Sequence, residues 1–437
     1  MTSPQTDAWP VRALDPADTA SLAGWAQVGR TGFMAAAPAP QEADARLREL
    51  AERVAGQRLS GVLDGGRWVA AYRSFDTELT LPGSGPVPVD AISSVAVLPT
   101  HRRRGLLRRM IGEDLRRARE QGHALAALIA AEAPIYGRFG FGPATRAATL
   151  VVDAGACRFR EDAPRAQGSL ELVEAAGAWP ELAAVHDASR RARAGGLQRE
   201  ELWWRERTRP GGERAWGPRT HVVVHRDAAG VADGYAAYEV EERWEGRVSR
   251  CAARVLDLHA SSPGVHRALW EFVLSVDWVR TVHAAERPVD EVLPLLLHDP
   301  RAVQHGPVDD LLWLRVLDVP GALAARRYLG RGTLVLRVLD PGGPAAGSVR
   351  LHVDPADDGD DGDDGGDRGG WACAEVTASA GEPDVVLGAA ELGALLLGDA
   401  SAVALAAAGR VHGAPAAVRH LQQLLAVPQA PWCPTWF

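Results

Sequence analysis

Residues 93–142 decide how this chain is read: SSVAVLPTHRRRGLLRRM over 93–110, a helical run to Gly122, then ALAALIAAEAPIYGRFGFG over 124–142. Val95 and Val97 close an apolar run that predicts a buried strand. Pro99 has no N–H to give to a ladder and stops it. Thr100 to Gly105 is a tight basic loop. A helix follows, with Leu106, Leu107, Met110, Ile111, Leu115 and Ala118 on one face at a 3.6-residue period. Glu113 stands one turn before Arg117, and Gly122 supplies the left-handed residue that ends such helices. Ala124 to Ala131 is a second apolar run, expected as a parallel neighbour of the first strand. Strand, basic glycine loop and helix together make an anion site, because free N–H groups at the helix start point at the ligand. HRRRG alone is equally well read as a solvated basic turn; its place between two apolar strands gives it weight.

The combination resembles the acetyl-CoA pyrophosphate loop of the GNAT N-acetyltransferases, whose core pattern is Arg/Gln-x-x-Gly-x-Gly/Ala. Arg102 and Gly105 match it, while Leu107 fills the last small position and departs from it. The longer string, SSVAVLPTHRRRGLLRRM followed by IYGRFGFGPAT, resembles the Eis (enhanced intracellular survival) acetyltransferases of actinobacteria, most of all over residues 90–150. That resemblance implies an α+β chain of three domains: an active GNAT domain over 1–148, a degenerate GNAT-like copy over 149–309, and a sterol-carrier-like domain over 310–437. It also implies a homohexamer.

The rest of the chain fits this division. Arg58 to Leu63 and Trp68 to Phe75 read as strands joined by Asp64-Gly65-Gly66, a hairpin signal. Two helices precede them, and in GNAT folds such helices wall the acceptor side of the cleft. Residues 150–310 repeat the order meander, strand, loop, helix, strand. Here the loop is Ser261-Ser262-Pro263-Gly264, without the arginine lead, so this copy is expected not to bind CoA. His221 and His225 share a strand face, but with no third ligand nearby they make no metal site. Beyond Asp310, strands and an Ala/Leu-rich helix resemble the sterol-carrier module. The acidic run 357–370 lacks the order of an EF-hand loop and reads as an exposed hairpin tip.

Composition narrows the function classes. The net charge of −8 argues against a nucleic-acid partner. All 48 basic residues are Arg, which reads as codon bias, not chemistry. The four cysteines are far apart in sequence, which argues against a disulfide framework or metal knuckle and for a reducing, cytoplasmic setting. The N-terminus is polar and acidic, unlike a signal peptide, and no apolar run approaches the ~18 residues that span a bilayer.

Acyl transfer from a thioester to an amine needs an anchor for the cofactor, donors for the oxyanion, an acid for the leaving thiolate and a base for the ammonium. By the resemblance, Arg103, Arg104, Gly105, Leu106, Leu107 and Arg108 anchor acetyl-CoA. Val95, Ala96 and Val97 offer backbone groups to the pantetheine arm and the oxyanion, and Ala131 and Glu132 flank the cofactor from the second strand. Tyr136 is the expected general acid. The expected base is the α-carboxylate of Phe437, at the end of a stiff, aromatic tail, PWCPTWF. Trp25 and Phe33 are acceptor-pocket candidates or packing aromatics. Asp76 and Glu78 share a strand face, where one could meet a cationic acceptor. The acceptor class implied is a primary amine on a polycationic, aminoglycoside-like molecule or a lysine side chain, with no metal. The competing reading is a non-catalytic lipid- or CoA-binding protein that works through its third domain.

Overall fold

The computed structural model describes residues 9–209, 214–354 and 370–437. The first region runs Val11–Leu14 (β1), Thr19–Gly32 (α1), Ala43–Arg53 (α2), Arg58–Asp64 (β2), Arg67–Thr80 (β3), Pro86–Val97 (β4), Leu106–Glu120 (α3), Leu125–Ile129 (β5), Ala133–Tyr136 (α4) and Gly142–Pro143 (β6). Asp18 starts α1 by accepting the Ser21 N–H at 3.0 Å, the usual N-cap bond of a short carboxylate. The second region holds Arg146–Asp153 (β7), Ser169–Val173 (β8), Ala175–Arg191 (α5), Glu201–Thr208 (α6), Thr220–Arg226 (β9), Ala232–Glu241 (β10), Trp244–Glu245 (β11), Val248–Ser249 (β12), Cys251–Ala260 (β13), Pro263–Leu274 (α7), Val279–Pro288 (β14), Leu293–Leu296 (α8) and Val303–Asp310 (β15). Then come Leu312–Val316 (β16), Val319–Ala325 (α9), Gly332–Leu339 (β17), Gly347–Val353 (β18), Ala374–Ala378 (β19), Val385–Gly388 (β20), Ala389–Leu395 (α10), Ala402–Ala407 (α11), Val411–Gly413 (β21) and Pro415–Leu424 (α12). Except for Gly370, the acidic run 357–370 lies outside the described residues.

Among the described residues these form three large sheets, ordered β1-β2-β3-β4-β5-β16-β6, β15-β7-β14-β13-β10-β9-β8 and β19-β18-β17-β20-β21, and a two-stranded ribbon of β11 and β12. Sheet membership and chain order part at β16. β7, which straddles residue 148, lies wholly in the second sheet, and β16, just past residue 310, pairs with β5 and β6 in the first. Strands β4 and β5 are parallel, as are β13 and β14, so each of the first two sheets contains one strand–loop–helix–strand unit.

Alternation along β5 places the first sheet between two cores. Ala126 and Leu128 face α1 and α3 with Trp25, Trp68 and Met110. Leu125 and Ala127 face the third region with Leu314, Leu392 and Leu395. The period of two makes this division automatic. Helix α10 sits directly on the sheet because Gly142 and Gly393 meet there. A Cβ on Gly142 would lie 1.8 Å from the Ala390 carbonyl oxygen, and one on Gly393 2.2 Å from that of Leu314. The third region is thereby fixed against the first, which sets where the chain's last residues can reach.

Candidate active site

Strand β4 pairs with β5 only over Asp90–Ile92, against Ala126–Leu128. Ser94 has a positive φ of 52°, a bulge conformation that bends the strand away from its neighbour. On the other side Ala96 and Val97 stay paired to Ala71 and Ala70 of β3. The backbone of Val95, Ala96 and Val97 therefore faces an open V between the two parallel strands, the place for an extended ligand arm that bonds to main chain.

The loop after β4 leaves a helix start open among basic side chains. His101 bonds Asp64 at 3.0 Å and Thr100 at 2.8 Å, and the Arg102 Nε donates to the Val97 carbonyl at 3.3 Å. Arg103 takes a positive φ of 62°, and Gly105, at φ 79°, is the residue before the helix. No side chain caps α3, and a Cβ at Gly105 would meet nothing within 4 Å, so the first N–H groups open onto free space. Arg103, Arg104 and Arg108 are exposed around that opening, Arg104 stacking over Trp9 at 5.0 Å. Leu106 is buried and Leu107 half-buried, so these two contribute packing and main chain. Ala131 and Glu132 follow β5, exposed, on the opposite lip of the V.

Tyr136, at the end of α4, is 8 % exposed and meets Phe141 edge-on with ring centroids 6.3 Å apart. Burial, helped by the Glu132 charge, pushes its phenol up to about 12. The group is held protonated across the neutral range. Its hydroxyl makes no hydrogen bond among the described residues and remains available to a ligand.

The chain's end returns to this sheet. The Ser93 Oγ donates to a terminal carboxyl oxygen of Phe437 at 2.9 Å, and the Phe437 ring stands edge-on to Phe75 at 5.6 Å. The second region holds the approach. The Trp432 N–H bonds the Ala194 carbonyl at 2.8 Å, its indole donates to the Glu286 carbonyl at 2.7 Å, and the Trp436 indole donates to the Glu286 carboxylate at 2.6 Å. Arg199 bonds both the Thr435 hydroxyl and the Pro434 carbonyl, and is itself buried against Asp257. Burial works against charge on Asp257. Arg199 and His259 outweigh that and hold its carboxyl well below the ordinary range. The tail is thus gripped through a buried arginine, two indoles and its own main chain.

A cavity opens beside the terminal carboxylate, lined from the first region by Arg53, Gln57, Arg73, Phe75 and Thr77, and from the second by Arg199, Trp203 and Glu206, among others. Alternation on β3 puts Arg73, Phe75 and Thr77 on one face. The four acceptor candidates from sequence do not line it. Trp25 is core, its indole donating to the Ser60 carbonyl at 2.8 Å, and Phe33 is half-exposed at the end of α1. Asp76 is engaged by Arg58 at 2.8 Å and His123 at 3.1 Å. Glu78 is engaged by Arg190 at 2.8 Å, which ties the first region to the second. Trp25 is used in packing and both carboxylates in ion pairs, while Phe33 is exposed outside the cavity's lining. The residues that do line the cavity, with Ser93, carry no motif, and many of them come from another domain.

Elsewhere, His221 and His225 are used separately, the first against the Tyr238 ring and the second bonded to Asp233. Among the described residues no group of His, Cys, Asp and Glu could hold a metal ion, and no helix is long and apolar enough to cross a membrane.

Comparison with known proteins agrees with this architecture. Residues 13–144 and 195–316 each match a family model for an acetyltransferase (GNAT) domain, and residues 319–434 match one for a sterol carrier protein domain. An uncharacterized N-acetyltransferase of Streptomyces griseus is 40% identical over 98% of this chain and 99% of its own. The N-acetyltransferase Eis of Mycobacterium tuberculosis is 37% identical over 77% of this chain and 78% of its own. The crystal structure of Eis1 from Mycobacterium abscessus superposes with a TM-score of 0.80 at 29% identity, covering 98% of this chain and 100% of that one. With two GNAT units and a sterol-carrier module along a chain so similar to those relatives, the protein belongs to the Eis family of GNAT N-acetyltransferases.

Proposed function

We propose that this N-acetyltransferase moves the acetyl group of acetyl-CoA directly to a primary amine, in the cleft between the V of the first GNAT unit and the cavity at the chain's end. The observation that carries the reading is the Phe437 carboxyl oxygen on Ser93, next to the Ser94 bulge that frees Val95–Val97. An anionic group there lies beside the stretch where a thioester carbonyl would bind.

The residues divide the work. The α3 N-terminus with Arg103, Arg104 and Arg108 takes the pyrophosphate, and the Val95–Val97 backbone takes the pantetheine arm and the developing oxyanion. The acceptor attacks as its free amine. As the C–N bond forms and the C–S bond breaks, the nitrogen turns cationic, and the Phe437 carboxylate takes one proton from it, directly or through one water. Tyr136 faces the departing sulfur. A phenol at about 12 is a weaker acid than a thiol near 8.5. Its contribution is therefore a hydrogen bond to the thiolate as charge builds, with the proton passing late. Acetyl-CoA is a cosubstrate here, and no step needs a metal.

Of the two acceptor classes the resemblance implied, a polycation is the less favoured: Asp76 and Glu78 are in ion pairs, and the cavity wall carries Arg53, Arg73, Arg199 and Arg214 against Glu200 and Glu206. A single amine, on a small molecule or a lysine side chain, is the better fit. The cytoplasmic setting rests on four free cysteines, and homohexameric assembly on family likeness alone. Sedimentation would test the assembly. Release of CoA from acetyl-CoA with a panel of amines tests the activity. No release with any amine, alongside saturable binding of a lipid, would overturn it in favour of a binding protein.

A further inference from the structure

The cavity at Phe437 contains a buried cation that no ion pair answers among the described residues. Arg73 is 4% exposed, and among the described residues its side chain makes neither a hydrogen bond nor an ion pair. Its guanidinium carbon stands 5.3 Å from the centre of the Phe75 ring. Its Nε is buried with no acceptor. Of the carboxylates around it, Glu206 bonds Arg53 at 2.7 Å, Asp257 holds Arg199, the Phe437 carboxyl takes its hydrogen bond from Ser93, and Glu200 lines the cavity from an exposed position without bonding Arg73. Burial, then the charges of Arg214 and Arg53, against a smaller pull from Glu206, bring the Arg73 guanidinium down to about 9. A buried cation left in this state is costly unless a ligand completes it.

A second orphan lines the same cavity. The Gln57 Oε1 is buried and accepts nothing. The wall thus offers one unanswered donor and one unanswered acceptor. Ser93 and Arg73 are partners across the β3–β4 ladder, so their side chains share a face and the donor lies beside the carboxylate that Ser93 holds.

We propose that the acceptor is a primary amine that also carries an oxyanion, a carboxylate or a phosphate. The oxyanion docks on Arg73, while the amine reaches the Phe437 carboxylate and the Gln57 amide oxygen. This rests on the acetyltransfer reading above and narrows it away from polycations. Guanidinium groups suit planar or tetrahedral oxyanions, since they donate in a fork.

Matched acceptors test it: 4-aminobutyrate and O-phosphoethanolamine against butylamine, 1,4-diaminobutane and kanamycin, each with acetyl-CoA. The expected result is a kcat/KM about tenfold or more higher for an anionic amine than for butylamine, the size of a charge-assisted bond. The better of the two anionic probes tells carboxylate from phosphate. Arg73→Met should erase that advantage through KM, and Arg73→Lys should restore part of it. Removing an unpaired buried charge spares the fold. Preference for the diamine or kanamycin overturns the proposal. So does an Arg73→Met effect that is equal for all acceptors or falls on the KM of acetyl-CoA. If no amine is acetylated, the activity reading fails, and calorimetric titration of 4-aminobutyrate and of O-phosphoethanolamine still decides the pocket. Binding of either that Arg73→Met abolishes supports the oxyanion site, and absence of binding for both overturns it.

Discussion

The two GNAT units begin their helices differently. Before α3 stands Gly105, with open space where a side chain would be and no capping bond. Before α7 stands Ser262, whose hydroxyl accepts the Val265 N–H at 3.3 Å. A Cβ on the nearby Gly264 would fall 2.7 Å from the backbone of Arg165 and Ala166, because that segment lies across the first turn. Arg267 holds it there by donating to the Ala163 carbonyl at 2.8 Å. The parallel strands differ as well. Past Val255, where β13 and β14 part, Arg287 reaches over to the Leu258 carbonyl at 3.0 Å, and Trp432 lies on His259 at 5.2 Å. One unit has a bare helix end and an empty V; the other has capped the first and filled the second. The topology is shared, so binding depends on a few loop residues and on what the rest of the chain puts into the slot.

In the second unit, then, the slot that would hold a cofactor holds the tail whose end reaches the first. The largest effect should therefore come from moving the tail's end. One or two residues added after Phe437 would push the carboxylate off Ser93 and crowd Phe75, and deleting Phe437 would leave the charge one residue short. Turnover should fall by about three decades or more, the scale for losing a group that acts only in the transition state. Acetyl-CoA affinity and melting temperature should hold, because the grip is made by Trp432 to Trp436. Full activity in a C-terminally extended protein would show that the tail merely fills the second unit.

Next is Tyr136→Phe. Loss of the hydroxyl should lower kcat by about two to four decades with both KM values kept. Because burial holds the phenol up to about 12, the wild-type rate should show no loss from Tyr136 ionisation between pH 7 and 10. A fall with an apparent pKa inside that window, absent from the Phe variant, would show a phenol far more acidic than its burial dictates.

Much of the first unit was legible in the sequence, and for local reasons. Pro99, Gly105 and the 3.6-residue period of Leu106 to Ala118 set strand end, loop and helix by themselves, and β4 and β5 are parallel as expected. The aromatic, proline-rich ending likewise marked an ordered tail. The acceptor cavity was not legible. Trp25, Phe33, Asp76 and Glu78 were chosen for type and position along the chain. Whether a tryptophan faces core or cleft depends on packing, and Trp25 meets Trp68 and Ser60 inside. Arg73 looks ordinary in a strand of mixed residues. Only the approach of α6, the tail and α2 from distant parts of the chain makes it buried and unpaired. The crossing of β16 into the first sheet had the same cause, being a matter of tertiary pairing that local pattern does not encode.

A third prediction sharpens the contrast between the helix ends. Replacing Arg103 and Arg104 by Ala should raise the KM of acetyl-CoA about 10- to 100-fold and that of the amine far less, since a charge-assisted phosphate contact is worth roughly 1.5–3 kcal/mol. Both side chains are exposed and support no core, so stability should be unaffected. Unchanged cofactor affinity would reduce the loop to a solvated turn.

The smallest effect is expected in the second unit, at Ser262→Ala. Losing an N-cap bond costs about 1 kcal/mol, a shift of roughly 2–4 °C in Tm for a domain of this size. The substitution also bares the α7 N–H groups and imitates the first unit at that one point. If a capped helix end were all that kept the second unit from its cofactor, calorimetric titration would now find two acetyl-CoA molecules per chain. The packing says otherwise. Arg165 and Ala166 still cover the first turn, no arginine stands in Ser261-Ser262-Pro263, and Arg287 with Trp432 still fills the gap between β13 and β14. The stoichiometry should stay at one. A second binding event would mean that one hydroxyl, not the filled slot, separates the two units.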